Sequence, residues 1–386
     1  TVVIENVPFM LQLNGGKDKE EMPKLLFRLG ELYFEESRYQ LFEANRKDDD
    51  YIRAMNAGDK ASMERIKAEK EKLVEAAKEP AGLAVEQYTE IVQKYKDFPR
   101  TDEVLYFLGQ NLMEMGDERR SLTAYKRLIE KYPKSKYLPD SHLAFGEYYF
   151  NGSKGKRDQI EKALASYKEA AKFPENAVYG YALYKQGWCY FNLGDYEKAM
   201  EQYKAVMLYA EIQGTEEVEG KKGAKGGRQG LVREARTDYV RSYARLITGN
   251  PNEGKERFAK LPSTKPEDLR NMMKGLAGLY YEDGKDKEAA LAFDMLIKER
   301  PTAPEAPGFQ GKIIDCVMRA GNKRMTVQQV RRLVKIMDDV KGAAKKPMDP
   351  KDVTVLDEAK ELSERTISNL AVNWHNEAKK TRDDET

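Results

Sequence analysis

A cluster of small and aromatic residues returns along this chain about every 34 to 42 positions, and no other feature constrains its fold so tightly. The clearest copy is Leu183, Gly187, Tyr190, Gly194, Asp195, Tyr196, Ala199 and Tyr203. A second reads Leu105, Leu108, Gly109, Leu112, Gly116, Asp117, Tyr125 and Pro133, and a third Leu276, Ala277, Tyr280, Gly284, Ala289, Phe293 and Pro301. A repeat of this length is one supersecondary unit that cannot bury its apolar face alone, so neighbours must stack and bury it together. The 386 residues are therefore expected to build one continuous core of stacked neighbours, where length alone would suggest two or three globular domains.

Each unit reads as two antiparallel helices, and its residue types follow from packing them. A small residue in the first helix (Gly30, Gly109, Gly146, Gly187, Ala277) lets the second helix come close. An aromatic in the second (Tyr88, Tyr125, Tyr167, Tyr203, Phe258, Phe293) fills the space between. Gly116, Gly194 and Gly284 suit the left-handed residue that ends a helix, Asp117 and Asp195 can cap the helix that follows, and Pro133 and Pro301 stop the second helix. The predicted fold class is all-α, an α-solenoid of antiparallel helix pairs.

Seven units are legible. The first pairs residues 23–36 with 83–94, and the next three cover 102–133, 140–174 and 180–210. The fifth, 231–261, keeps only Gly249 and Phe258 in their expected places; the sixth is 269–301 and the seventh, 309–337, is degenerate. The organisation is then an N-terminal extension (1–22), a first unit with its insertion (23–99), units two to four (100–210), a Gly-rich charged loop (211–230), units five to seven (231–337) and a C-terminal linker and helix (338–386). Three insertions interrupt the period. Residues 40–78 are mostly charged or small and predict a helical excursion projecting from the array, with Met55, Met63, Ile66 and Leu73 as its apolar positions. Residues 151–159 lengthen the turn of the third unit. Residues 212–230 set Glu216, Glu217 and Glu219 before Lys221, Lys222, Lys225 and Arg228 among glycines, the composition of a mobile loop. At the C-terminus Leu356, Ala359, Leu370, Ala371 and Trp374 predict an amphipathic helix that caps the array or opens a further repeat.

Chemistry is hard to find. Acyl transfer needs a nucleophile, a base and a group that orients the base, yet only His142 and His375 exist, and His142 sits at a packing position. No CxxC or HExxH gives a metal site, the glycines at 152–156 and 220–230 do not match a phosphate loop, and no cofactor motif is present. Cys189 and Cys316 read as small packing residues, compatible with cytoplasm or periplasm. With 34% charged residues, 40% hydrophobic and a formal net charge of +2, neither nucleic acid nor an anionic membrane is the expected partner. Apolar runs fall short of the roughly 18 to 20 residues of a transmembrane helix. The chain starts at Thr1 without an initiator Met or a signal peptide, which points to a processed or truncated N-terminus.

The repeated cluster resembles the tetratricopeptide repeat. That resemblance implies a right-handed superhelix whose first helices line a concave groove, and a non-enzymatic protein that binds other proteins there. By the same implication Phe27, Glu31, Phe34 and Glu35 face the groove from the first unit, Tyr106, Gln110, Met113 and Glu114 from the second, and Leu143, Glu147, Phe150 and Asn151 from the third. The fourth gives Tyr181, Tyr184, Trp188, Phe191 and Asn192, and the sixth Lys274 and Tyr281. The candidate partner-binding residues are the ring set Phe27, Phe34, Tyr106, Phe150, Tyr181, Tyr184, Trp188, Phe191 and Tyr281, together with Asn192. They form an aromatic stripe suited to a peptide or an amphipathic helix. The Lys/Asn/Lys/Arg clamp by which chaperone-binding relatives hold a terminal carboxylate is not visible at matching positions.

A narrower likeness rests on Ala124, Tyr125, Leu128, Ile129, Lys131, Tyr132, Pro133, Ser135, Tyr137, Pro139 and Asp140, followed by Phe145, Gly146, Tyr148 and Tyr149. This run resembles repeats of bacterial cell-envelope proteins of the outer-membrane assembly lipoprotein and Tol–Pal coordinator type, and of gliding-motility or secretion scaffolds. It implies a scaffold of an envelope assembly, at the periplasmic face of the outer membrane or in the periplasm, with complex subunits as partners. The alternative is a cytoplasmic adaptor that regulates a soluble enzyme or transcription factor. Nucleic-acid binding through 221–228 is a third reading, which predicts a steep loss of binding with salt.

Overall fold

The computed structural model describes residues 20–215, 222–343 and 350–381, and every regular element among them is a helix. The chain is an α-solenoid of helix pairs. It divides into two compact units, Thr1–Ala182 and Leu183–Thr386.

In the first unit, α1 (Glu21–Asn56) packs against α3 (Lys78–Lys94), α4 (Thr101–Glu114) against α5 (Glu118–Lys131), and α6 (Leu138–Asn151) against α7 (Arg157–Ala170). The rule that small residues admit large ones holds at each pair. A Cβ added at Gly30, Gly109 or Gly146 would stand 2.6, 2.7 or 2.4 Å from the ring of Tyr88, Tyr125 or Tyr167. Around Tyr88 lies one core of Leu26, Phe27, Val85, Ile91, Leu105, Leu108, Leu128 and their neighbours. Gly116 takes φ +81, and Asp117 then accepts from the Arg120 amide at 3.1 Å to begin α5.

The insertion at 40–78 is a helical hairpin. α1 runs on past the repeat to Asn56, Gly58 turns the chain at φ +69, and α2 (Lys60–Ala76) returns alongside. Asp59 caps α2 by accepting from the Ser62 amide. Little apolar surface joins the two helices: Ala44, Ala54 and Ile66 are buried, while Lys47 pairs with Glu69 at 2.7 Å. At the base of the arm the Ser37 hydroxyl donates to the Ala77 carbonyl at 2.9 Å.

α8 (Tyr179–Leu193) contains the division between the two units. In the second unit follow α9 (Tyr196–Thr215), α10 (Lys222–Ala244), α11 (Pro251–Ala259), α12 (Pro266–Glu282), α13 (Asp286–Glu299), α14 (Ala306–Arg319), α15 (Lys323–Ala343) and α16 (Pro350–Thr381). Gly187 meets Tyr203 as the earlier glycines meet their tyrosines, with a Cβ 2.4 Å from the ring. The degenerate fifth pair inverts the rule. Its large residue, Tyr243, stands on the first helix and its small one, Gly254, on the second, 2.9 Å from Cβ to ring. Tyr243 also donates to the Asn250 carbonyl at 2.8 Å, and Phe258 packs edge-on to it.

One expectation needs adjusting. Helix occupies 212–215 and 222–230, where a loop was expected, and only 216–221, with Glu216, Glu217, Glu219 and Lys221, lie outside the described residues. The helix over 231–244 is anchored by Ala235, Tyr239, Val240 and Tyr243, and each residue added to an existing helix gains a hydrogen bond without a new nucleation cost. At the C-terminus, Leu370 is buried with Ile314 and Leu333, and Trp374 packs beside them, so α16 covers the end of the seventh pair. The N-terminal extension (1–19) and 344–349 lie outside the described residues, as do the side chains of Leu356 and Ala359.

Candidate protein-docking surface

The aromatic stripe expected on the first helices separates into packing rings and accessible rings. In the first unit Phe27 is 1% exposed, held among Tyr88, Phe98 and Phe107 with Arg100 stacked 4.2 Å above it. Phe34 is buried against Phe107 at 5.9 Å. Neither presents a ring to a partner, because Phe107 of the following unit covers both. Tyr106 is half-buried and lies flat on Tyr137 at 4.4 Å. That burial pushes its hydroxyl up to about 12, with Asp140 adding to the shift and Arg38 opposing it. Phe150 is half-buried, Tyr181 is 38% exposed, and Tyr148, which the pattern passed over, is 40% exposed.

In the second unit Tyr184 is buried, a correction to its expected place in the groove. Its hydroxyl donates to Asp238 at 2.7 Å and accepts from the Trp188 indole, so it ties α8 to α10. Asp238 in turn takes a hydrogen bond from Arg241. Trp188 and Phe191 keep part of their surface accessible, their rings 6.3 Å apart, and Asn192 beside them is exposed. Tyr281 is half-buried between two cations, Lys312 at 4.1 Å and Arg319 at 4.5 Å from the ring centre, and donates to Asp315 at 2.9 Å. Three of the ten candidates are thus core residues: Phe27, Phe34 and Tyr184.

The partners that sequence reading missed share one signature. Tyr137 donates to Glu103 across 34 residues, Asn176 to Asp140 across 36, Arg270 to Glu305 across 35 and Tyr281 to Asp315 across 34. Each bond joins neighbouring units at one repeat period, so the period itself was the signal.

Residues 103–135 and 181–209 match the model of the tetratricopeptide repeat family. Two stretches of the chain are thus similar to tetratricopeptide repeats. Both matched stretches contain a complete glycine–tyrosine pair, Gly109 with Tyr125 and Gly187 with Tyr203. Among solved structures, a tetratricopeptide repeat protein from Parabacteroides merdae ATCC 43184 is 18% identical over 83% of this chain and 98% of its own, with a TM-score of 0.34. The tetratricopeptide repeat domain of P58(IPK) is 11% identical over 94% of this chain and 99% of its own, with a TM-score of 0.24. No curated protein matches by sequence.

Among the described residues no group of three or more His, Cys, Asp or Glu could hold a metal ion. Both cysteines are buried, and burial pushes the Cys316 thiol up to about 11, far from a reactive thiolate. His142 is half-buried, and that burial lowers its pKa and favours the neutral ring. Among the described residues no helix is long and apolar enough to cross a membrane.

Proposed function

We propose that this chain is a non-catalytic scaffold that docks segments of other proteins on the first-helix face of its repeats. The observation that carries the reading is Trp188, Phe191 and Asn192: two partly accessible rings and an exposed amide on one face of α8, within a segment matching the tetratricopeptide model. Rigid aromatic anchors beside an amide that can pair with peptide backbone suit a peptide or helix ligand. Tyr106 and Phe150 offer half-buried rings on the first unit, and Tyr281 a further one in the second. The partners we propose are subunits of a bacterial envelope assembly, serving motility, outer-membrane biogenesis or secretion. This part rests on the likeness of the run from Ala124 to Tyr149 to envelope repeats.

The test is affinity capture from a detergent extract of source cells, comparing wild type with Phe191→Ala/Asn192→Ala. Tyr184 is left untouched, since its loss would open the link to Asp238. Envelope proteins captured by wild type and lost with the variant, at unchanged helical circular dichroism, support the proposal. Soluble regulators lost instead would move the protein to the cytoplasm, and partners that survive the variant would remove this face as the docking site.

A further inference from the structure

The first-helix face of the first unit carries negative charge that the protein itself leaves incompletely answered. Glu31 and Glu35 come from α1, Glu103 and Glu114 from α4, and Asp140 and Glu147 from α6. Tyr106 and Tyr125 both lie within electrostatic reach of Asp140 and Glu114, so these carboxylates share one neighbourhood. Glu103 is paired with Arg100 at 2.7 Å, Asn176 donates to Asp140 at 3.3 Å, and Tyr167 donates to Glu147 at 2.7 Å. Among the described residues Glu35 and Glu114 make no hydrogen bond or ion pair. Arg38, which acts electrostatically on Glu114, lies over the Phe34 ring at 5.6 Å. Burial raises the Asp140 carboxyl above the ordinary aspartate range, with Asn176 opposing.

Tyr88 is an independent sign. It is fully buried, its hydroxyl has no hydrogen-bond partner, and it lies within reach of Glu31, Glu35 and Glu103. The corresponding hydroxyl of the third pair, Tyr167, donates to Glu147. In the first pair, Glu31 is instead turned to Arg28 at 3.1 Å and Arg100 at 3.8 Å.

Resting on the docking reading above, we propose that this face receives a cationic stretch of a partner protein, its lysine or arginine side chains entering beside Glu35 and Glu114. An extended polycation fits better than a metal ion, because the carboxylates are spread over three helices and do not converge on one point. Nucleic acid is disfavoured by the sign of the charge.

The probe is a short fluorescein-labelled peptide alternating lysine and serine, read by anisotropy against the full chain at about 0.15 M salt, where the Debye length is about 8 Å. Glu35→Gln/Glu114→Gln should weaken it by at least threefold, on the order of tenfold. The control Glu118→Gln/Glu130→Gln, which removes the same charge from α5, should leave it unchanged. Among the described residues the two altered glutamates of the face make no hydrogen bond or ion pair, so the variant should keep the wild-type circular dichroism. Equal weakening by the control, no binding of the lysine peptide, or equal binding of its glutamate counterpart would overturn the proposal. If the lysine peptide fails while capture still depends on Phe191 and Asn192, only the charge assignment falls and the docking reading stands.

Discussion

Gly187 admits no larger residue without moving Tyr203, since a Cβ there would stand 2.4 Å from the ring. Gly278, on α12, has nothing within 4 Å of the same atom. The two glycines should therefore answer an added methyl with opposite signs. Gly187→Ala should lower stability by about 1–3 kcal/mol through overpacking, and Gly278→Ala should leave it unchanged or raise it by up to about 1 kcal/mol. Urea unfolding of both variants checks this, and equal effects would show that the small residue serves only helix propensity. Arg270 gives a second prediction at this scale. It is 1% exposed, donates to Glu305 at 2.6 Å and to the Leu296 carbonyl at 3.1 Å, and Lys274 adds a further bond to Glu305. Burial opposes ionisation of Glu305, but Lys274 and Arg270 outweigh it and hold the carboxyl below its ordinary value. A lowered carboxyl pKa contributes stability that is present above the unfolded value and lost as pH falls through the folded one. Glu305→Gln, which leaves buried Arg270 with Glu299 at 3.6 Å as its remaining carboxylate, should cost about 1.5–3 kcal/mol near neutral pH and flatten the acid limb of the stability profile below about pH 4.5. An unchanged acid limb would assign that dependence elsewhere.

At the scale of elements, the helix pairs were legible in the sequence because the glycine and its aromatic lie within one unit and complement each other in volume. Gly109 with Tyr125 could be read without knowing any neighbour. Accessibility could not. Phe34 and Phe191 hold corresponding places on their first helices, yet Phe107 covers Phe34, while Phe191 meets Trp188 and Tyr196 and stays partly open. What covers a ring comes from the next unit, one period away, and a local pattern carries no information about it. The inverted fifth pair escaped for a related reason, since Tyr243 and Gly254 satisfy the same volume rule with the helices exchanged. The arm was legible as helix from its charge-rich composition, and its marginal core explains why. With Ala44, Ala54 and Ile66 as its buried apolar groups, it adds little to the array. Joining residue 43 to residue 74 through a short Gly–Ser turn should shift the thermal midpoint by no more than about 2–4 °C, the equivalent of about 1 kcal/mol in a domain of this size. A larger drop in a calorimetric scan would mean that the arm supports the first pair.

At the scale of the molecule, each unit presents a first-helix face whose chemistry differs. The first carries carboxylates from three helices around Tyr106; the second carries the Trp188, Phe191 and Asn192 patch and, separately, Tyr281 between Lys312 and Arg319. Two outward rings at the base of the arm, Tyr39 and Phe42, are 58% and 61% exposed and make that region the natural competitor as a docking surface. The most direct test of the account is covalent side-chain footprinting of the chain with and without a captured partner. Protection of Tyr106, Trp188 or Phe191, with Tyr39, Phe42 and the second helices unchanged, is the predicted result. Protection confined to the arm or to the second helices would contradict it.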